Sequence, residues 1–286
     1  RYARVTGVQT CALPILEAYE EAVSFAKSFI DKHKLFLKCS IPIISEMEDD
    51  CNPRVSKFGG KFPYLEDEVI PKCHVCDQFP MMVVQLYVPS LPEYIQDLFP
   101  ENYKKSLLVL GVCPECLGSN WYHIRVYSED ELDKLVYHED EGKNWAKPEY
   151  HERRNFPRIP FSPQPYDAYD EQRQYFHLCT IVDWKDTEMV PYTSLKTVQD
   201  LLKKEGIDNN NRYFLVAHGI NMQNNVSGNS YLGGWPHFCN GDQTPESYKI
   251  LLNICESEAA TLGWGDCGTA QIWIGFGKNE GKFKFT

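Results

Sequence analysis

The sequence lacks the features that define several large classes of protein. No stretch of its 286 residues approaches the roughly 18 consecutive apolar residues of a membrane-spanning helix. Basic residues are scarce, since 29 Lys and Arg face 40 Asp and Glu and give a formal net charge of −11. Nucleic-acid binding depends on clustered basic side chains that neutralise phosphates. The composition therefore argues against both a membrane and a nucleic-acid partner.

The common catalytic motifs are also missing from the sequence. It contains no HExxH, no GxSxG, no P-loop and no GxGxxG. Asp266 next to Cys267 could supply an acid and a nucleophile, but a Gly-rich run such as Gly263–Gly268, with Trp264 and Gly265, is more typical of a tight turn. His237 and Cys239, two residues apart on a strand, would share a face. We predict a protein without catalytic activity, and an enzyme with a dispersed site near Asp266 and His237 stays an alternative.

Sequence patterns divide the chain into five segments. The stretch Val5–Ile15 (VTGVQTCALPI) resembles a translated sequencing adapter and is set aside with the rest of residues 1–15. Without Arg1 and Arg4 the formal charge becomes −13. We expect the alternating pattern that ends at Thr286 to continue in a longer natural chain. The predicted order is an adapter-like start (1–15), an N-terminal helix (16–45), a first β-rich half (46–144), a Pro-rich linker or arm (145–174) and a second β-rich half (175–286).

Periodicity predicts two helices and several strands. Apolar residues recur every three or four positions in residues 16–36, and a cap at Thr193 or Ser194 begins a helix that Gly206 ends. Short runs rich in Val, Ile, Leu and Tyr predict strands at 81–88, 106–112, 121–127, 175–184, 248–255 and 269–276.

The two β-rich halves repeat one succession of features. Phe58, Gly59 and Gly60 precede Pro63 and two strands, and Leu232, Gly233 and Gly234 precede Pro236 and two strands. Paired glycines suit a positive φ or a close approach of two chain segments. The repeat predicts an internally duplicated α+β, β-rich fold built from antiparallel sheets, with an N-terminal helix and an inserted pair of zinc knuckles.

Four cysteines form the strongest constellation. Cys73 and Cys76 make one CxxC pair, and Cys113 and Cys116 make another. Two such turns complete a tetrahedral thiolate shell around zinc. An antiparallel strand pair between them would bring both turns to one edge of the sheet, and a full shell predicts structural rather than catalytic zinc. Four buried or surface thiols are one alternative; a redox CxxC is another, although the βαβ pattern that it would need is absent. CxxC pairs without a signal peptide favour the reducing cytosol or nucleus.

Several motifs together resemble a known family. The segments Ser56–Tyr64 (SKFGGKFPY), Leu232–Phe238 (LGGWPHF) and Gly263–Gly268 (GWGDCG), with the Gln85-containing strand, are similar to the YwqG family over residues 54–286. That family has no agreed catalytic residues, so the resemblance implies a fold and not a reaction. A toxin-neutralising immunity role, suggested for some bacterial relatives, is one function it implies.

A more distant resemblance joins Phe58–Gly60, the first CxxC, Gln85–Pro89 and the second cysteine pair. This order is similar to the N-terminal part of programmed cell death protein 2 and its yeast relatives, which escort a ribosomal protein. The chain departs from them because no MYND-type cysteine array follows residue 116. We expect a zinc-stabilised protein-interaction or chaperone-like module whose partner is a basic protein.

Overall fold

Short apolar runs bounded by glycine and proline favour strands, and strands dominate the computed structural model of the chain. The structure describes residues 9–46, 51–75, 77, 79–113, 121–137, 179–207, 210–238, 242–255 and 269–286. The helices are α1 (Gln9–His33), α2 (Glu93–Gln96), α3 (Lys196–Lys204) and α4 (Asn210–Gln223). The strands are β1 (Leu37–Glu46), β2 (Ser56–Phe58), β3 (Pro63–Leu65), β4 (Met81–Tyr87), β5 (Leu107–Val112), β6 (Tyr122–Tyr127), β7 (Leu135–Tyr137), β8 (Cys179–Met189), β9 (Tyr231–Gly233), β10 (Tyr248–Cys255), β11 (Thr269–Gly275) and β12 (Phe283–Phe285). Within these residues no helix is both long and apolar enough to cross a membrane.

Ten strands form one sheet with the order β12-β11-β10-β9-β1-β8-β2-β4-β5-β6. Counted outward from the central pair β1 and β8, each side runs through a three-residue strand, two long strands and an edge strand. We call β2, β4, β5 and β6 the first half-sheet, and β9, β10, β11 and β12 the second half-sheet. Within each half-sheet all neighbouring strands pair antiparallel. β3 and β7 form a separate two-stranded sheet.

The large sheet curves until its two edge strands approach each other. The rings of Tyr122 on β6 and Phe285 on β12 lie 5.6 Å apart, measured between centroids. The concave face buries an apolar core to which both half-sheets and the segment around α2 contribute. The confirmed fold is therefore β-rich, with a large curved antiparallel sheet, a few helices and an N-terminal helix.

The chain forms two compact units. The helical unit comprises Arg1–Lys38, Thr187–Ser227 and Gly234–Gln243, and the sheet unit comprises Cys39–Asp186, Gly228–Gly233 and Thr244–Thr286. In the helical unit α1 packs on α4, with the rings of Phe29 and Tyr213 5.5 Å apart. By sequence, the two units differ in net charge. The helical unit has 10 Lys and Arg and 9 Asp and Glu, whereas the sheet unit has 19 Lys and Arg and 31 Asp and Glu.

Three elements differ most from the sequence predictions. Helix α1 begins at Gln9, inside the segment set aside, and ends at His33. Residues 37–45, which the predicted N-terminal helix segment (16–45) included, form β1 instead, although Pro42 cannot donate to a ladder. The partner strand β9 pairs with Cys39 and Ser40, so Pro42 lies past its end and costs no ladder bond there.

The third difference is α4, which the sequence did not reveal. Phe214, Leu215 and Met222 are exposed on it, and these outward apolar side chains obscure the helical period. Helix α3 and the long strands agree with prediction to within a few residues, apart from β8, which ends at Met189, five residues beyond the predicted end at 184. The first predicted residues of that strand, 175–178, lie outside the described residues. The linker at 145–174 lies outside the described residues.

Candidate metal centre and the strand ends

The first half-sheet brings two cysteine-bearing segments to one end. Strands β4 and β5 pair antiparallel with Met81 opposite Val112. Cys113 directly follows β5, and the segment carrying Cys73 leads into β4. Cys73 is 1% and Cys113 is 0% exposed. The pairing that the sequence prediction required is therefore present, whereas Cys76 and Cys116 lie outside the described residues.

The backbone after the first CxxC turns back sharply. Asp77 has φ 58°, a left-handed conformation unusual for a residue other than glycine. Its N–H donates to the carbonyl oxygen of Cys73 at 2.8 Å. At the other segment the N–H of Cys113 donates to the carbonyl oxygen of Trp121 at 3.3 Å. These bonds anchor the backbone of both described cysteines.

Gly111 lets the first cysteine segment approach β5 closely. A Cβ at this position would lie 2.7 Å from atoms of both Phe62 and Pro80, and real Cβ atoms do not come that close. Phe62 in turn packs on the ring of His123, with centroids 5.9 Å apart. Burial lowers the pKa of His123; Arg125 lowers it further and Glu68 opposes the shift.

An ion cluster holds the two-stranded β3–β7 sheet beside this site. Arg125 Nε donates to Glu68 at 2.9 Å and its Nη2 donates to Glu131 at 3.4 Å. The Tyr127 hydroxyl shares its single proton between Glu68 and the Pro63 carbonyl oxygen, at 3.1 and 2.9 Å. Burial, followed by the charge of Glu68, raises the pKa of Tyr127. The cluster consists of mutually satisfied groups, which fits a structural clamp.

The donor set suits zinc, which thiolates bind in tetrahedral sites. Cys73 and Cys113 would supply two ligands, and Cys76 and Cys116 the other two. In the described part of the chain no three His, Cys, Asp or Glu side chains are close enough to hold a metal. With two of the four cysteines outside that part, the zinc site stays a prediction.

The second half-sheet has a cavity at the corresponding strand ends. Here Tyr248 lies opposite Gly275 and Lys249 opposite Ile274, so the start of β10 meets the end of β11. The volume of the cavity is about 280 Å³. It is lined by Asp97, Leu98, Phe99, Pro100, Lys249, Ile274, Gly275, Phe276, Gly277 and Glu280.

The predicted glycine pairs have the backbone conformation for which glycine is suited. The φ angles of Gly59 and Gly60 are 67° and 92°, and those of Gly233 and Gly234 are 65° and 67°. The predicted turn residues Trp264, Gly265 and Asp266 lie outside the described residues, as does Cys267.

His237 is a candidate for chemistry in the helical unit. Its ring lies 4.6 Å from that of Tyr192 between centroids. Burial lowers the pKa of His237, and the neighbouring His218 lowers it further. Asp266 and Cys267, the other residues considered for the alternative enzyme site, lie outside the described residues.

Sequence reasoning missed a polar row on the convex face of the first half-sheet. Lys57 lies between Thr180 and Gln85 in register, and both Lys57 and Gln85 are 0% exposed. Gln85 Nε2 donates to the carbonyl oxygens of Asn52 and Val55 at 3.0 and 2.9 Å. The sequence gives no clear signal of this row, because the motif Ser56–Tyr64 contains a second lysine, Lys61, and nothing in it marks Lys57 as the buried one.

Together, the fold and these strand ends define a β-rich α+β domain with a cysteine-bearing edge. The profile of the family described as a domain of unknown function, DUF1963, matches residues 56–276. The chain therefore belongs to the DUF1963 family. No curated protein matches it significantly.

Proposed function

We propose that this member of DUF1963 is a zinc-braced protein-binding module of the YwqG type that escorts a basic protein segment. The observation that carries the partner's chemistry is the division of charge. The sheet unit has 12 more acidic than basic residues, whereas the helical unit has one more basic than acidic residue. A field of one sign steers an oppositely charged partner and raises its rate of encounter.

Zinc would act as a brace in this module. The burial of Cys73 and Cys113 at adjoining strand ends supports a closed thiolate site. Four thiolates leave no position for a substrate or an activated water, so the metal would supply folding energy and no reaction step.

We further propose that the two half-sheets arose by duplication. Both long inner strands carry a register shift at the same place, between Met82 and Val84 and between Ile250 and Leu252. In each half a serine before the glycine pair accepts a backbone hydrogen bond from the end of the next long strand. Tyr87 N–H donates to Ser56 Oγ at 3.0 Å, and Cys255 N–H donates to Ser230 Oγ at 3.1 Å.

A binding titration tests the proposed partner. A fluorescein-labelled peptide of alternating Arg and Ala should bind the purified chain, and an alternating Glu and Ala peptide of equal length should not. Affinity should fall steeply between about 50 and 300 mM salt, since the screening length shortens to about 10 Å at 0.1 M. Equal binding of both peptides, or no effect of salt, would contradict a basic client.

Affinity purification of the chain from cell extract complements the titration. The proteins that co-purify should be enriched in Lys- and Arg-rich segments and should leave the column at raised salt. Recovery of only acidic or neutral partners would count against the proposal.

A further inference from the structure

The cavity at the end of the second half-sheet has the size of one long side chain. Its volume of about 280 Å³ falls at the lower limit of small-molecule pockets, which span roughly 300–1,000 Å³. Its lining is mixed, with the apolar side chains of Leu98 and Phe276 beside the carboxylates of Asp97 and Glu280. A nucleotide or larger cofactor would not be enclosed, whereas a Lys or Arg side chain, which joins an apolar stem to a charged head, matches such a lining.

The backbone holds an aromatic ring at the mouth of this cavity. Phe276 is 46% exposed, although it directly follows a buried strand. Its N–H donates to the Ser247 carbonyl oxygen at 3.1 Å, and its carbonyl oxygen accepts from Asn279 N–H at 3.2 Å. A Cβ on Gly275 would collide with the backbone of Asn279, so the tight turn after β11 depends on that glycine. Backbone hydrogen bonds to Ser247 and Asn279 therefore hold Phe276 where its ring is exposed.

A cation of the chain itself already lies over this ring. Lys249 Nζ is 5.7 Å from the centroid of Phe276, within the range of a cation–π contact. Two carboxylates, Asp97 and Glu280, line the same cavity. Asp97 Oδ1 lies 4.0 Å from Lys104 Nζ. Within the described part of the chain Glu280 has no ion-pair partner. Carboxylates and an aromatic face together complement a cation with an apolar stem.

We propose that this cavity receives an Arg or Lys side chain of the basic segment. The incoming cation displaces Lys249 from the face of Phe276 and pairs with Glu280 and Asp97, while its stem lies against the apolar side chains of the lining. The inference rests on the proposed function and adds the place where the client is anchored. Charge complementarity supports this occupant, because the cavity lining holds two carboxylates, Asp97 and Glu280, and one ammonium group, that of Lys249.

The test compares variants of the full chain in their affinity for the labelled Arg–Ala peptide at fixed salt. Glu280→Gln should weaken binding about fivefold, and Phe276→Ala by about as much, because each removes a contact worth about 1 kcal/mol. Glu66→Gln is the matched control, since it removes the same charge from an exposed position of the same unit outside the cavity lining. It should weaken binding less than twofold.

Lys249→Gln gives a result that a merely structural role would not produce. Removing the competing cation should strengthen peptide binding about threefold. Lys134→Gln, at another exposed lysine of the unit, should change the affinity by less than about 1.5-fold. Circular dichroism and thermal unfolding confirm that each variant is folded. If the wild-type chain binds the peptide but the Glu280 and Phe276 variants match the Glu66 control, the cavity proposal is wrong and the proposed function stands. If the wild-type chain does not bind, both are wrong.

Discussion

The two half-sheets share their framework and differ at their ends. Both have the same strand order, the same register shift in the long inner strand and the same serine bond to the next strand. Cys113 directly follows β5, whereas Phe276 directly follows β11. One end therefore carries thiols, and the other has a cavity and an exposed ring. Strand pairing is therefore common to the two halves, while a few residues beyond the strand ends determine what each half can bind.

The largest effect should come from the cysteine-bearing end. Cys73→Ser or Cys113→Ser should remove a zinc ligand and with it a site worth on the order of 10 kcal/mol in small zinc modules. We expect a large loss in thermal stability, measured by calorimetry, and a similar loss when a chelator is added to the wild-type chain. Cys179→Ser is the control, because Cys179 is also buried, at 3% exposure, but lies on β8. Equal losses in all three variants would mean that burial and not metal explains the effect.

Gly111→Ala should be the next most damaging change. The added methyl group would need the space of Phe62 and Pro80, and overpacking of this kind costs about 2 kcal/mol. Gly219→Ala is the control, since no atom lies within 4 Å of a Cβ there and alanine favours a helix by about 1 kcal/mol. Denaturant unfolding should show a loss for the first variant and none for the second. A neutral Gly111→Ala would refute the tight approach of the first cysteine segment to β5.

The sequence predicted the framework better than the ends, for a physical reason. Apolar alternation and glycine pairs are local signals, and they correctly indicated β4, β5, β10 and β11. The three-residue strands β2 and β9 escaped prediction because three residues carry no measurable period. The cavity could not be predicted, because it joins Asp97 to Glu280 across a separation in sequence that only the curved sheet closes.

The cysteine constellation was visible in sequence because its spacing is itself the signal. The burial of Lys57 could not be predicted, because nothing in the sequence indicates which strands flank it. Local patterns therefore gave the elements, and their pairing had to come from the structure.

Matched serine substitutions test the equivalence of the two halves. Ser56→Ala and Ser230→Ala should each cost about 1 kcal/mol, because each leaves one backbone N–H without its acceptor. Chemical denaturation of both variants gives the comparison. Costs that differ by more than about twofold would show that the two bonds have different roles, since mutational values of this kind vary by about that factor.

The smallest expected effect is a loss of stability in mild acid. Burial lowers the pKa of His123 and of His237 below the ordinary value of 6.5. A histidine whose folded pKa is lowered stabilises the fold above its unfolded pKa, and that stability is lost as the pH falls from 6.5 through the folded pKa. Unfolding midpoints measured from pH 8 to pH 5 should decline below about 6.5. His123→Gln should flatten part of that decline, and an unchanged profile would contradict the burial of a neutral ring.

Metal stoichiometry tests whether the two CxxC pairs hold one zinc ion. The chain, expressed without added metal and purified without chelator, is subjected to elemental analysis by plasma mass spectrometry. We expect one zinc ion per chain in the wild type and in Cys179→Ser, and none in Cys73→Ser or Cys113→Ser. A fully folded wild-type preparation without zinc would contradict this expectation.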